Sequence, residues 1–197
     1  MIRRTVLVLA LVTGLAACGR DEASGGAEIV VIGDSVTEQS TEAIAAALAG
    51  RDVTIEGHSG LRTDELVPVA EDALAGDGPP IAVVLAGYND LWQGKDDEAQ
   101  VDELVEAVAD ADCSIWVLVP TKGPWDRGNA QALERRVRAA AADAGMAVET
   151  GWRDAVDAVD GPDPDPELVV GDTVHPSDAG KQKVAEVMAT AVDRECG

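Results

Sequence analysis

The chain has 197 residues, with 15 basic and 37 acidic side chains and a formal charge of −22. That length supports one domain with a sizeable core and makes two crowded. The charge argues against nucleic acid and anionic headgroups as partners. Two histidines and three scattered cysteines cannot assemble an ordinary zinc site, and no glycine-rich phosphate loop with lysine follows a strand. No metal and no cofactor are expected.

In chain order, "MIRR" is a short basic start, followed by the apolar run "TVLVLALVTGLAA" of 13 residues. The run is too short for an ordinary membrane span. "LAAC" at Leu15–Cys18 resembles the lipobox of a bacterial lipoprotein signal. The resemblance implies a signal peptide over 1–17, lipid on Cys18, a polar tether over 18–27 and an exported domain over 28–197. The anchor would then be the only contact with the membrane. The alternative is a plain secretory signal whose cysteine is incidental.

Strands are predicted at "EIVVIG" (28–33), "VTIEG" (53–57), "IAVVLAG" (81–87), "SIWVLVP" (114–120) and "MAVET" (146–150). The inner ones are nearly continuous apolar runs, as in strands covered on both faces. Helical spacing separates them. Ile44, Ala47 and Leu48 form one stripe, and Leu66, Val69, Ala73 and Leu74 another. Val101, Leu104, Val105 and Val108 keep the period, as do Leu133, Val137 and Ala141. Val184, Val187, Met188 and Ala191 close the series, with Asp178 as a candidate cap. "DGPDPDPE" (160–167) reads as a proline-spaced loop. Five β-α units make an α/β protein, an open parallel sheet with helices on both faces. Ligands gather at the carboxyl ends of such strands.

Four short blocks fall at that edge: "GDSVT" (33–37), Gly60 in "GHSG", Asn89 in "GYND", and Asp172 with His175 in "GDTVHPSDAG". Alone, Ser35 would read as a helix cap. Together and in this order, the blocks resemble the SGNH hydrolases, or GDSL esterase/lipase family, across the whole mature domain. Val36 stands where leucine is common. The Gly-x-Ser-x-Gly elbow of α/β-hydrolases is absent, because the glycines around Ser59 fall at 57 and 60.

The resemblance implies a flavodoxin-like, three-layer α/β/α sandwich with a five-stranded parallel sheet. It also implies a serine esterase working through an acyl-enzyme. Ser35 would be the nucleophile, His175 the base and Asp172 its orienting acid. The backbone N–H groups of Ser35 and Gly60 and the Asn89 amide would form the oxyanion site. Asp34 and Asp90 are read as organisers of their own turns. His58, Tyr88, Trp92 and Trp125 are candidate substrate-lining residues, the two tryptophans on loops beyond the third and fourth strands. Cys113 and Cys196 are a candidate disulfide pinning the last helix to the sheet. Few insertions separate the elements, which suits small or medium acyl esters, including O-acetyl groups on glycans. The alternatives are acyl transfer from the same site and a silent binding lipoprotein. The oligomeric state is left open.

Overall fold

The computed structural model describes residues 29–75, 81–94 and 98–197. The expected signal peptide, its tether and Cys18 lie outside the described residues. In chain order the elements are β1 (Ile29–Gly33), α1 (Ser35–Ala47), β2 (Val53–Gly57), α2 (Thr63–Leu74), β3 (Ile81–Leu85), α3 (Tyr88–Gln93), α4 (Glu98–Val108), β4 (Cys113–Val117), α5 (Arg127–Ala144), β5 (Ala147–Glu149), α6 (Gly151–Asp157) and α7 (Asp178–Glu195). The strands form one sheet in the order β2-β1-β3-β4-β5, and every pairing is parallel. The expected α/β architecture is therefore present. Strand order reverses between β1 and β3, so their carboxyl ends open the crevice in which such sheets hold ligands.

Alternation along β1 builds two cores. Ile29 and Val31 join the apolar layer shared with α1, α6 and α7. Val30 and Ile32 join the layer shared with α2, α4 and α5. Each fully buried valine or isoleucine contributes about 1.5–3 kcal/mol relative to exposure, and all four are wholly buried. The chain has no phenylalanine, so Val, Ile and Ala fill both layers around the buried Trp116 and Trp152.

The inner strands are shorter than their apolar runs. β3 ends at Leu85 and β4 at Val117, yet Ala86, Leu118 and Val119 stay buried past the last strand residues. Hydropathy thus outlasts the hydrogen-bond ladder. Two helices, α3 and α6, are additions to the expected set. The cap of α7 is Ser177, whose hydroxyl accepts from the Gly180 N–H at 3.1 Å. Asp178, expected as the cap, is instead the first helical residue. Cys113 and Cys196 are joined by a disulfide with Cα atoms 5.7 Å apart, which fastens the end of α7 to the start of β4. No described helix is long and apolar enough to cross a membrane.

Candidate active site

The turn from β1 into α1 is tight because Gly33 has no side chain. A Cβ there would fall 2.1 Å from Thr37 Oγ1 and 2.5 Å from the Leu85 carbonyl oxygen. Asp34 is the N-cap of α1, and its Oδ1 accepts from the Val36 N–H at 3.1 Å. Capping thus falls to Asp34, and Ser35 is left for other work. Its Oγ lies 3.0 Å from His175 Nε2. The Asp34 side chain is fully buried, and burial pushes its carboxyl up to about 7, against the pull of the Val36 and Tyr88 N–H groups.

His175 arrives on a fastened loop. The Val170 N–H donates to the His175 carbonyl at 2.8 Å, and the Ser177 N–H to Leu168 at 2.9 Å. Val169 and Pro176 form an antiparallel bridge, and Thr173 turns the chain at φ 62°. Within this turn Asp172 Oδ1 accepts from the N–H groups of Val174 and His175, both at 2.9 Å. Oδ2 lies 2.6 Å from His175 Nδ1. An ionised carboxylate only accepts, so Nδ1 carries the proton and Nε2 turns its lone pair to the serine hydroxyl. Burial raises the Asp172 carboxyl, but the His175 ring and the two N–H groups outweigh it and hold the acid below its usual range.

Asn89 is the second residue of α3. Its Nδ2 donates to the Leu61 carbonyl at 2.8 Å. A primary amide has two N–H groups, so one donor remains beyond that bond. Gly60, at φ +84°, is in the left-handed region where a side chain would be strained. A cavity of about 310 Å³ is lined by Ser35, Tyr88, Asn89, Trp92, Asp172, Val174 and His175. A larger one, about 590 Å³, lies beside the Cys113–Cys196 bridge and includes none of these residues.

Trp92 is 63% exposed and stands on α3 rather than on a loop. Tyr88 lines the cavity, but its hydroxyl accepts from the buried Trp152 Nε1 at 2.6 Å. Trp125 meets the Tyr88 ring edge-on, centroids 5.7 Å apart, and packs over Gly123. It is not part of the cavity lining, and neither are Gly60 and His58. His58 Nε2 instead lies 3.0 Å from Glu56 Oε2. Val174 lines the cavity, although nothing in the Asp-x-x-His spacing marks it. Asp90 crosses to Thr63 on α2, so it ties the starts of α2 and α3 rather than its own turn alone. Among the described residues, no group of three or more His, Cys, Asp or Glu could hold a metal ion.

Residues 31–183 match the GDSL-like Lipase/Acylhydrolase family. No curated protein matches the chain by sequence. Solved structures similar to it include a lipase/acylhydrolase from Enterococcus faecalis, 15% identical at a TM-score of 0.70 over 86% of this chain and 96% of that one. A GDSL-like lipase from Bacteroides thetaiotaomicron is 20% identical at 0.68, over 85% and 88% of the two chains. A variant of an acetyl xylan esterase from Geobacillus stearothermophilus is 20% identical at 0.67, over 87% and 96%. At these identities the likeness is one of fold.

Proposed function

This chain belongs to the GDSL-like lipase/acylhydrolase family and is an ester hydrolase of the serine type, and we propose that Ser35 is its nucleophile, His175 its general base and Asp172 the acid that orients the base. One observation carries this assignment. The His175 ring is hydrogen-bonded to Asp172 on one side and to Ser35, 140 residues away, on the other.

Ser35 Oγ attacks the ester carbonyl carbon as its proton passes to His175 Nε2. The Nδ1–H stays on Asp172, whose charge stabilises the imidazolium. The carbonyl oxygen, now negative, takes hydrogen bonds from the N–H groups of Ser35 and Gly60 and from the remaining N–H of Asn89. The bond to the alcohol breaks, and His175 Nε2 returns the proton to the departing oxygen. Water then repeats the sequence on the acyl-serine, releasing the acid.

The substrate we propose is a short acyl group, such as acetyl, on a sugar hydroxyl. A cavity of about 310 Å³ is at the small end for a ligand site. At its mouth the exposed Trp92 offers an indole face that suits a neutral sugar ring. The charge of −22 disfavours anionic headgroups. The similarly folded Geobacillus enzyme is an acetyl xylan esterase. We place the mature enzyme outside the cytoplasm, tethered by lipid on Cys18. The lipobox-like "LAAC" supports this, as does a disulfide of the kind that persists in oxidising compartments.

The test is turnover of a p-nitrophenyl ester series and of acetylated xylo-oligosaccharides by wild type and Ser35→Ala, with phosphonate labelling mapped to a peptide. Labelling at Ser35 and loss of turnover in Ser35→Ala are expected. Label on another residue, or turnover retained by the variant, overturns the assignment. Trp92→Ala should raise KM for the oligosaccharide more than for p-nitrophenyl acetate, and equal changes would remove the sugar platform. Metabolic labelling with an alkyne fatty acid should tag the wild type and not Cys18→Ala, and an unlabelled wild type would discard the lipid tether.

A further inference from the structure

Three consecutive residues at the entry to α2, the last of them its first helical residue, are bonded to α3. The Leu61 carbonyl accepts from Asn89 Nδ2 at 2.8 Å. Arg62 Nη1 donates to Gln93 Oε1 at 3.1 Å. Thr63 gives its hydroxyl to Asp90 Oδ1 at 2.7 Å and its backbone N–H to Oδ2 at 3.2 Å. The first two bonds reach solvent or its margin. The third lies inside the protein, with Asp90 only 4% exposed and Thr63 wholly buried.

We propose that Asp90 is a positioning residue for ester hydrolysis: its bonds to Thr63 set the distance between the Asn89 amide and the Gly60 backbone across the forming oxyanion. The proposal rests on the Ser35-centred reading. Asp90 follows Asn89 directly, and Thr63 lies three residues beyond Gly60. One carboxylate therefore joins the segments that carry two of the three proposed donors. Glu65 Oε2 takes the Arg62 N–H at 3.0 Å and Asp90 takes the orphan N–H of Thr63, the first residue of α2, so the same carboxylate closes the start of α2 and ties it to α3. Helix α3 cannot hold Asn89 by itself. It has six residues, far below the length at which a helix is stable in water, so its orientation is imposed by what it is tied to. A carboxylate buried at this position is unfavourable unless its oxygens are satisfied, and Thr63 supplies both donors. A displacement of about 1 Å in a donor can reduce a rate about 100-fold.

The experiment measures kcat and KM on p-nitrophenyl acetate, and thermal unfolding, for Asp90→Asn, Thr63→Val, Thr63→Ser, Asn89→Ala and the double variant Asp90→Asn with Asn89→Ala. Asp90→Asn is expected to lower kcat by about 10- to 100-fold, with KM within about twofold. Its amide either turns its NH₂ on the Thr63 N–H or keeps that N–H on its oxygen and reverses the bond to the Thr63 hydroxyl, which must then accept; in both cases the two-bond brace is altered. Thr63→Val should fall in the same direction, and Thr63→Ser, which keeps the hydroxyl, should restore kcat. In the Asn89→Ala background the Asp90→Asn penalty should shrink to about threefold or less, because the donor being aimed has gone. The idea is overturned if Asp90→Asn and Thr63→Val lose melting temperature while kcat stays within threefold. It is equally overturned if the Asp90→Asn penalty is the same size with and without Asn89. If Asp90→Asn does not fold, the Thr63 pair decides by the same criterion. A dead Ser35→Ala beside a normal Asp90→Asn rejects this brace alone. An active Ser35→Ala rejects the nucleophile.

Discussion

Replacing Asp172 by asparagine changes one atom and tests the whole relay. The asparagine oxygen can keep the two backbone N–H groups that Asp172 Oδ1 now accepts at 2.9 Å. Its NH₂ then takes the place of Oδ2, 2.6 Å from His175 Nδ1. Two donors cannot face each other there, so the ring proton moves to Nε2 and points at Ser35 Oγ. The base is then in the wrong tautomer, and the imidazolium formed during attack has lost its counter-charge. A charge pair about 4 Å apart is worth about 1 kcal/mol in water and about 4 kcal/mol at an effective dielectric constant of 20. Asp172 and His175 side chains are 48% and 33% exposed, so an intermediate value of about 2–3 kcal/mol applies. With tenfold per 1.36 kcal/mol and a further contribution from the tautomer, kcat should fall about 100- to 1000-fold. That is less than the roughly 10⁴-fold seen where such a relay is buried, because water can take over part of the acid's role.

The assay is steady-state hydrolysis of p-nitrophenyl acetate from pH 5 to 9, with thermal unfolding as a control. The lowered Asp172 carboxyl stays ionised over that whole range, so the wild-type profile should show no limb from it. Its contribution to stability is complete above the ordinary carboxylate range and is lost only as pH falls through its lowered folded value. A kcat within fivefold of wild type in a folded Asp172→Asn protein would refute the relay.

Asn89→Ala should lower kcat by about 100- to 1000-fold, the usual effect of removing one oxyanion donor, and a folded variant with unchanged kcat would take Asn89 out of the site. Asp34 tests the opposite pH sign. Its folded carboxyl is raised from 3.8 to about 7, so the folded state keeps a proton that the unfolded state releases, and stability falls as pH rises between those values. The change amounts to roughly 4 kcal/mol at most. Asparagine is an equally good cap, so urea melts at pH 5 and pH 8 should converge in Asp34→Asn. Parallel pH dependence in the two proteins would rule out Asp34 as its source. Tyr88→Phe removes the acceptor of the buried Trp152 Nε1 and should cost about 1–3 kcal/mol of unfolding free energy. An unchanged denaturation midpoint would mean that the bond contributes nothing.

The strands were legible because parallel strands buried on both faces leave unbroken Val, Ile and Leu runs, and the long helices because each presents one apolar stripe. The short α3 and α6 left no such trace. Six and seven residues span about two turns, too few for a period to show. Ordered motifs brought Ser35, Asn89, Asp172 and His175 to one end of the sheet, since strand-end loops of this architecture converge. Orientation was a different matter. Tyr88 lines the cavity as expected, with its hydroxyl bonded to Trp152, whereas Trp125 sits in the expected loop but packs edge-on against Tyr88 and outside the lining. His58 likewise finds Glu56 two residues before it on β2. Asp90 could not be matched to Thr63 from sequence, because that bond depends on how the starts of two helices 27 residues apart meet.

The Cys113–Cys196 bridge divides the proposed reacting groups unequally. Asp172 and His175 lie inside the covalent ring it closes, and Ser35 lies outside. A ring with a sequence separation of 83 lowers the entropy of the unfolded chain by an amount worth about 4.5 kcal/mol. Before oxidation, packing alone keeps the imidazole half beside the hydroxyl half. After oxidation the unfolding that would part them is disfavoured, so an oxidising environment steadies the site from the far end of the sheet, where β4 begins.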